Sequence, residues 1–155
     1  MIKYLKDLFK TSNDNKEESY NIDSVKKLQI ATCALLIEMA NADDEFTDEE
    51  REKIINVMQK TFNLEKEYVD ELIELSEEKL KHSVSIYEFS TTINENFSRN
   101  EKFELLKNLW RLIYVDDTLN MHEDHLIKKI GGTLNMDHQD IIAAKLIVKE
   151  EKRKE

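Results

Sequence analysis

The chain contains no proline, and its only two glycines stand side by side at Gly131 and Gly132. Sheet proteins turn their strands largely on these two residue types, because each supplies a backbone conformation that other residues resist. A chain of 155 residues with so few of them is expected to be all-α. Its length suits one domain with a sizeable core.

The apolar residues recur at three- and four-residue spacing, the period of a helix face. A first core helix is expected to start near Asn21 to Ser24 and to run through "VKKLQIATCALLIEMA". Its centre is apolar on nearly every side, so it should be the most buried element. Thr47 opens a second helix, which carries Ile54, Ile55, Val57, Met58 and Phe62 and should stop near Asn63, a residue that tolerates the left-handed conformation. "LEKEYVDELIELSEEKLKHS" is the third, with Val69, Leu72, Ile73 and Leu80 on its apolar face. Ile86, Phe89, Ile93 and Phe97 mark a fourth, with Ser85 and Glu88 as its expected capping pair. Ser98 and Glu101 repeat that pair ahead of "RNEKFELLKNLWRLIYV", where Trp110 reads as packing. A short helix, "HEDHLIKKI", precedes the glycines, which can end a helix or let two helices approach closely. Asp137 caps the last helix, "HQDIIAAKLIVKEEKR", whose charged end is expected to fray. The domain so defined covers residues 21–155. Ahead of it, residues 1–20 hold an amphipathic stripe of Ile2, Leu5, Leu8 and Phe9, then a polar run, "TSNDNKEES", that reads as a linker.

Charge narrows the partners. With 33 acidic against 23 basic residues, the formal charge is −10, which argues against a nucleic-acid binder, because phosphate needs a basic face. A cation or a basic protein surface is compatible with it. The single cysteine, Cys33, allows no disulfide within the chain, reads as an inert buried thiol and fits a cytoplasmic setting. No apolar run reaches the roughly eighteen residues that span a bilayer, and the N-terminus lacks the features of a signal peptide. Lys3, Lys6 and Lys10 back the stripe in residues 1–10, so peripheral contact at the inner face of a membrane is one reading of it. Core packing or self-association is the other.

Two stretches say nearly the same thing. "ADDEFTDEE" at 42–50 and "VDDTLNMHE" at 115–123 share Asp-Asp-x-(Phe/Leu)-(Thr/Asn)-x-x-Glu, every matched position being offset by 73. Each follows an apolar helix and opens another, so the chain reads as a two-fold duplicated bundle. Helix capping explains half of the pattern. Thr47 and Asn120 are N-caps, and Glu50 and Glu123 sit three residues on, where a carboxylate can bond back to the cap. Phe46 and Leu119 can act as hydrophobic staples. Capping does not explain Asp43–Asp44 or Asp116–Asp117, which stand at the negative end of a preceding helix. Two accounts stay open: aspartate tolerates the left-handed cap, or a cation or a basic partner group offsets the repulsion. Calcium, magnesium and manganese suit oxygen ligands of this kind. The order of acids is not that of an EF-hand. His122 and His125 lie beside Glu123, but the zinc-protease spacing would need the second histidine at position 126, which is Leu126, so zinc ranks behind the harder ions.

These residues carry a resemblance. The paired loops resemble the repeated Ala-Asp-Gly-x-hydrophobic-x-x-x-Glu pattern of the tellurite-resistance TerB-like family, which includes the N-terminal domain of the DjlA co-chaperones. "ALLIEMA" before the first loop, "NLWRLIYVDD" before the second, the "LKDLF" start and "YEFSTTIN" in the middle are similar to small stand-alone bacterial members. The resemblance implies an all-α bundle of about seven helices with internal pseudo-symmetry. It implies a metal at the acidic loops, held at the positions of Asp43, Glu50, Asp116 and Glu123. Asp44 and Asp117 depart from it by standing where the family has glycine. No enzymatic activity is established for the family, whose name reflects a resistance operon and stress.

The chain is therefore read as a non-enzymatic binding module. It takes a divalent cation or a protein partner through Asp43, Asp44, Glu50, Asp116, Asp117 and Glu123. The alternative is a metal-independent interaction scaffold that dimerises or sits on a membrane surface. A metal-dependent hydrolase built on His122, Glu123 and an aspartate ranks last, because neither a nucleophile nor a phosphate-binding element accompanies the acids.

Overall fold

The computed structural model describes residues 16–82, 85–116 and 119–155. Among them lie seven α-helices: α1 (Lys16–Ala40), α2 (Asp48–Phe62), α3 (Lys66–His82), α4 (Tyr87–Asn96), α5 (Arg99–Ile113), α6 (Met121–Thr133) and α7 (His138–Arg153). A 3-10 turn follows α1 at Asn41–Asp43, and another follows α5 at Tyr114–Asp116. No strand occurs among the described residues, as the turn chemistry predicts. The N-terminal stripe, and the membrane contact read from it, lie outside them.

Helices α1 and α5 form the centre. α1 packs along α3 and α4 and also meets α2, α5 and α6, while α5 packs along α7. Each half therefore runs central helix, 3-10 turn, capped helix, returning helix. Between Ala31 and Ala40 only Glu38 escapes burial, in line with the all-round apolar pattern of α1. Trp110 is fully buried in α5 and donates Nε1–H to the Ile141 carbonyl at 3.0 Å, fixing α5 to α7.

Several boundaries differ from the sequence reading. α1 begins at Lys16, ahead of the start expected near Asn21, so the end of the polar run is helical. No glycine or proline interrupts the chain there, and Lys, Glu and Glu are good helix formers. At α4 the N-cap is Ile86, without a side-chain cap, in place of Ser85. Ile86 already has helical angles (φ −73°, ψ −10°), so the Ser85 hydroxyl accepts the N–H of Tyr87 at 3.3 Å. The glycine pair does not end α6, and neither glycine has a positive φ. Close approach is the reason for Gly131: a Cβ there would lie 2.5 Å from Cδ1 of Ile141. The chain leaves the helix afterwards at Asn135, with φ 60°. Asn63 does the same for α2, with φ 56°. The last helix is held almost to its end by Arg111, whose Nε and Nη2 donate to the two carboxylate oxygens of Glu151 at 3.1 and 2.7 Å.

Candidate functional site

In their described parts the two acidic loops match: each follows a 3-10 turn and opens a helix on a capping box. Thr47 Oγ1 accepts the N–H of Glu50 at 3.1 Å, and Glu50 Oε1 accepts the N–H of Thr47 at 3.1 Å. Asn120 Oδ1 accepts the N–H of Glu123 at 2.8 Å, and Glu123 Oε1 accepts the N–H of Asn120 at 3.1 Å. Both are reciprocal capping boxes. Glu50 and Glu123 are buried, at 8 % and 5 % exposure, and Oε1 of each is used in closing a helix start. Phe46 and Leu119 do not form the expected staples. The helical positions that would meet them hold Arg51 and Asp124, and both apolar side chains pack on the core instead.

The aspartates fare differently. Asp44 has left-handed angles (φ 64°, ψ 6°) and donates its N–H to the Asn41 carbonyl at 3.0 Å, which closes the turn. This is a conformation that glycine adopts without strain and aspartate tolerates. The Asp44 side chain is exposed. Asp43 and Asp116 each end a 3-10 turn, and the structure describes their backbone only. Asp117 lies outside the described residues.

Packing relates the loops to each other. The first 3-10 turn sits on α6, the helix that the second loop opens. Val115 of the second turn faces Glu49 and Glu52 of α2, the helix that the first loop opens, across a cavity of about 340 Å³. Lys53, Arg111 and Lys152 share its lining with four glutamates. Burial, and then the carboxylates of Asp124 and Glu123, push the Tyr114 hydroxyl above the usual tyrosine range. His122 and His125 are exposed on the first turns of α6. Among the described residues, no three or more His, Cys, Asp or Glu side chains come together in a way that could hold a metal ion.

One residue was missed in the sequence. The Lys152 ammonium, from the end of α7, donates to the Tyr114 carbonyl. It places a positive charge at the C-terminal end of α5, where two aspartates follow and the helix end is itself negative. The only signal in the sequence was the basic triplet Lys152, Arg153 and Lys154.

Cys33 is fully buried, and burial pushes its thiol up to about 12. No helix among the described residues is long and apolar enough to cross a membrane.

An all-α bundle, duplicated about two capped acidic loops, defines a small helical module whose recurring feature is the loop and not a cleft. The family model of the tellurite resistance protein TerB matches residues 29–146, and the chain belongs to that family. No curated protein and no solved structure matches it.

Proposed function

We propose that the chain is a non-enzymatic binding module whose acidic loops take a divalent cation of the calcium, magnesium or manganese kind, with Asp43 and Asp116 as its principal ligands. The carrying observation is duplication in place: two loops of one build, the first seated on the helix that the second opens. Glu50 and Glu123 serve as caps in this reading, because one oxygen of each already closes a helix start. Asp44 contributes its backbone conformation first. The absence of a catalytic role is part of the same proposal. It draws support from Cys33, whose raised thiol is protonated and buried at neutral pH.

The experiment is calorimetric titration of calcium, magnesium, manganese and zinc into the wild type and into Asp43→Ala/Asp116→Ala. A cation at a hundred times its dissociation constant adds about 2.7 kcal/mol to stability. The wild type should show both heat and a thermal shift, and the double variant should lose both. Absence of heat and shift for all four ions removes the cation. A basic protein surface on the same aspartates is then the reading to test. A part in tellurite resistance rests on family membership alone, and tellurite sensitivity of a strain lacking the gene tests it.

A further inference from the structure

A second cavity lies along the middle of α1, at Lys26 to Ala31, away from the acidic loops. It measures about 290 Å³, is open to solvent on one side and is lined by α1, α3 and α4. Ile30, Ala31 and Phe89 form an apolar floor, and Lys26, Lys27 and Lys79 stand around it with a single carboxylate, Glu88. In a chain with a charge of −10, the rim of this site is basic, through the exposed Lys27 and Lys79. Lys26 is only 4 % exposed, so its methylene stem belongs to the wall, while Lys27 and Lys79 are exposed.

This lining selects its occupant. The walls are helices, whose backbone donors and acceptors are used within each helix. The Thr92 hydroxyl in the lining already donates to the Glu88 carbonyl at 3.2 Å. An extended peptide entering here would bury amide groups without partners, which is costly, and a helix of about 10–12 Å diameter is wide for a site of about 290 Å³. An apolar chain needs none, and an anionic end would meet the lysine ammoniums. The volume is at the lower edge of small-molecule sites, which favours one short chain over a two-chain lipid. We propose that this cavity binds a single-chain anionic amphiphile, a free medium-chain fatty carboxylate, with its tail on Ile30, Ala31 and Phe89 and its carboxylate at the lysines.

The test is calorimetric titration of decanoate, below its micelle concentration, into the full chain. Decanol and decyltrimethylammonium serve as uncharged and cationic comparisons. Saturable one-site binding of decanoate is expected, stronger than for either comparison. Lys27→Glu/Lys79→Glu changes two exposed residues, so it should keep its helical circular dichroism while binding at least about fivefold more weakly. Absence of saturable binding, equal affinity for the cationic amphiphile, or unchanged affinity in the double variant would each overturn the proposal. So would two other occupants of the groove, with decanoate inert in both cases. One is a phosphatidylglycerol vesicle that binds the chain through these lysines. The other is a peptide of residues 1–10 that binds there, which would give the groove to the chain's own N-terminal segment.

Discussion

Gly131 and Gly132 are neighbours in one turn of one helix, yet a methyl group at each should act in opposite directions. At Gly131 an added Cβ would stand 2.5 Å from Cδ1 and 2.7 Å from Cγ1 of Ile141, and 3.6 Å from Cδ2 of Leu106. Ile141 cannot easily step aside. It is 3 % exposed, and its carbonyl holds the Trp110 indole. Overpacking of this kind costs about 1–3 kcal/mol. At Gly132 nothing lies within 4 Å of the added atom, and the residue is exposed. Both substitutions gain the helix preference of alanine over glycine, at most about 1 kcal/mol, and that gain is common to the pair. The difference between the variants therefore isolates the packing term: Gly131→Ala should be less stable than Gly132→Ala by about 1–3 kcal/mol. Urea denaturation read by circular dichroism measures it, with the midpoint shifting and the slope unchanged. Gly131→Ala equal to Gly132→Ala, or more stable than it, would refute the close approach of α6 to α7.

Other consequences follow from single residues. Asp44→Gly should stabilise the chain by about 0.5–1 kcal/mol, because an L-residue pays to hold the left-handed angles; a chemical melt showing destabilisation would contradict the turn geometry. The Arg111 hydrogen bond, opposed in part by burial, holds the Glu151 carboxyl below its ordinary value of 4.5. Its contribution is therefore complete above about pH 4.5 and is lost as pH falls through the lower folded-state value. Thermal midpoints of the wild type and Glu151→Gln should accordingly differ near neutrality and converge in acid. Cys33 should stay unlabelled by a thiol reagent at neutral pH until the chain unfolds, its thiol being buried and raised to about 12; labelling of the native chain at the rate of a free thiol would contradict this.

What could be read from the sequence was local. The boxes of Thr47 with Glu50, Ser98 with Glu101 and Asn120 with Glu123 each join residues three apart, and all three form. The stop at Asn63 depends on one residue's own conformational range, and it holds. What escaped was set by distant contacts. Gly131 was ambiguous until Ile141 stood beside it, ten residues further along the chain. The end of α7 looked ready to fray because the ties from Arg111 to Glu151 and from Lys152 to Tyr114 span about 40 residues. Ser85 does not take the N-cap position, which Ile86 holds, although its hydroxyl accepts the N–H of Tyr87. The candidate site divides in the same way. Its glutamates were legible as caps, and the shape of Asp44 was legible as one of two accounts. What Asp43 and Asp116 bind is a matter of what comes to them, and no local rule specifies that.

The most direct test of the central claim follows the backbone amides while calcium or magnesium is added. If the paired loops are the binding element, resonances of residues 43–50 and 116–123 should shift together along one saturating curve, with the rest of the bundle still. Loops that stay unmoved at saturating cation, or shifts confined to other surfaces, would contradict the account and leave the acidic loops as helix starts alone.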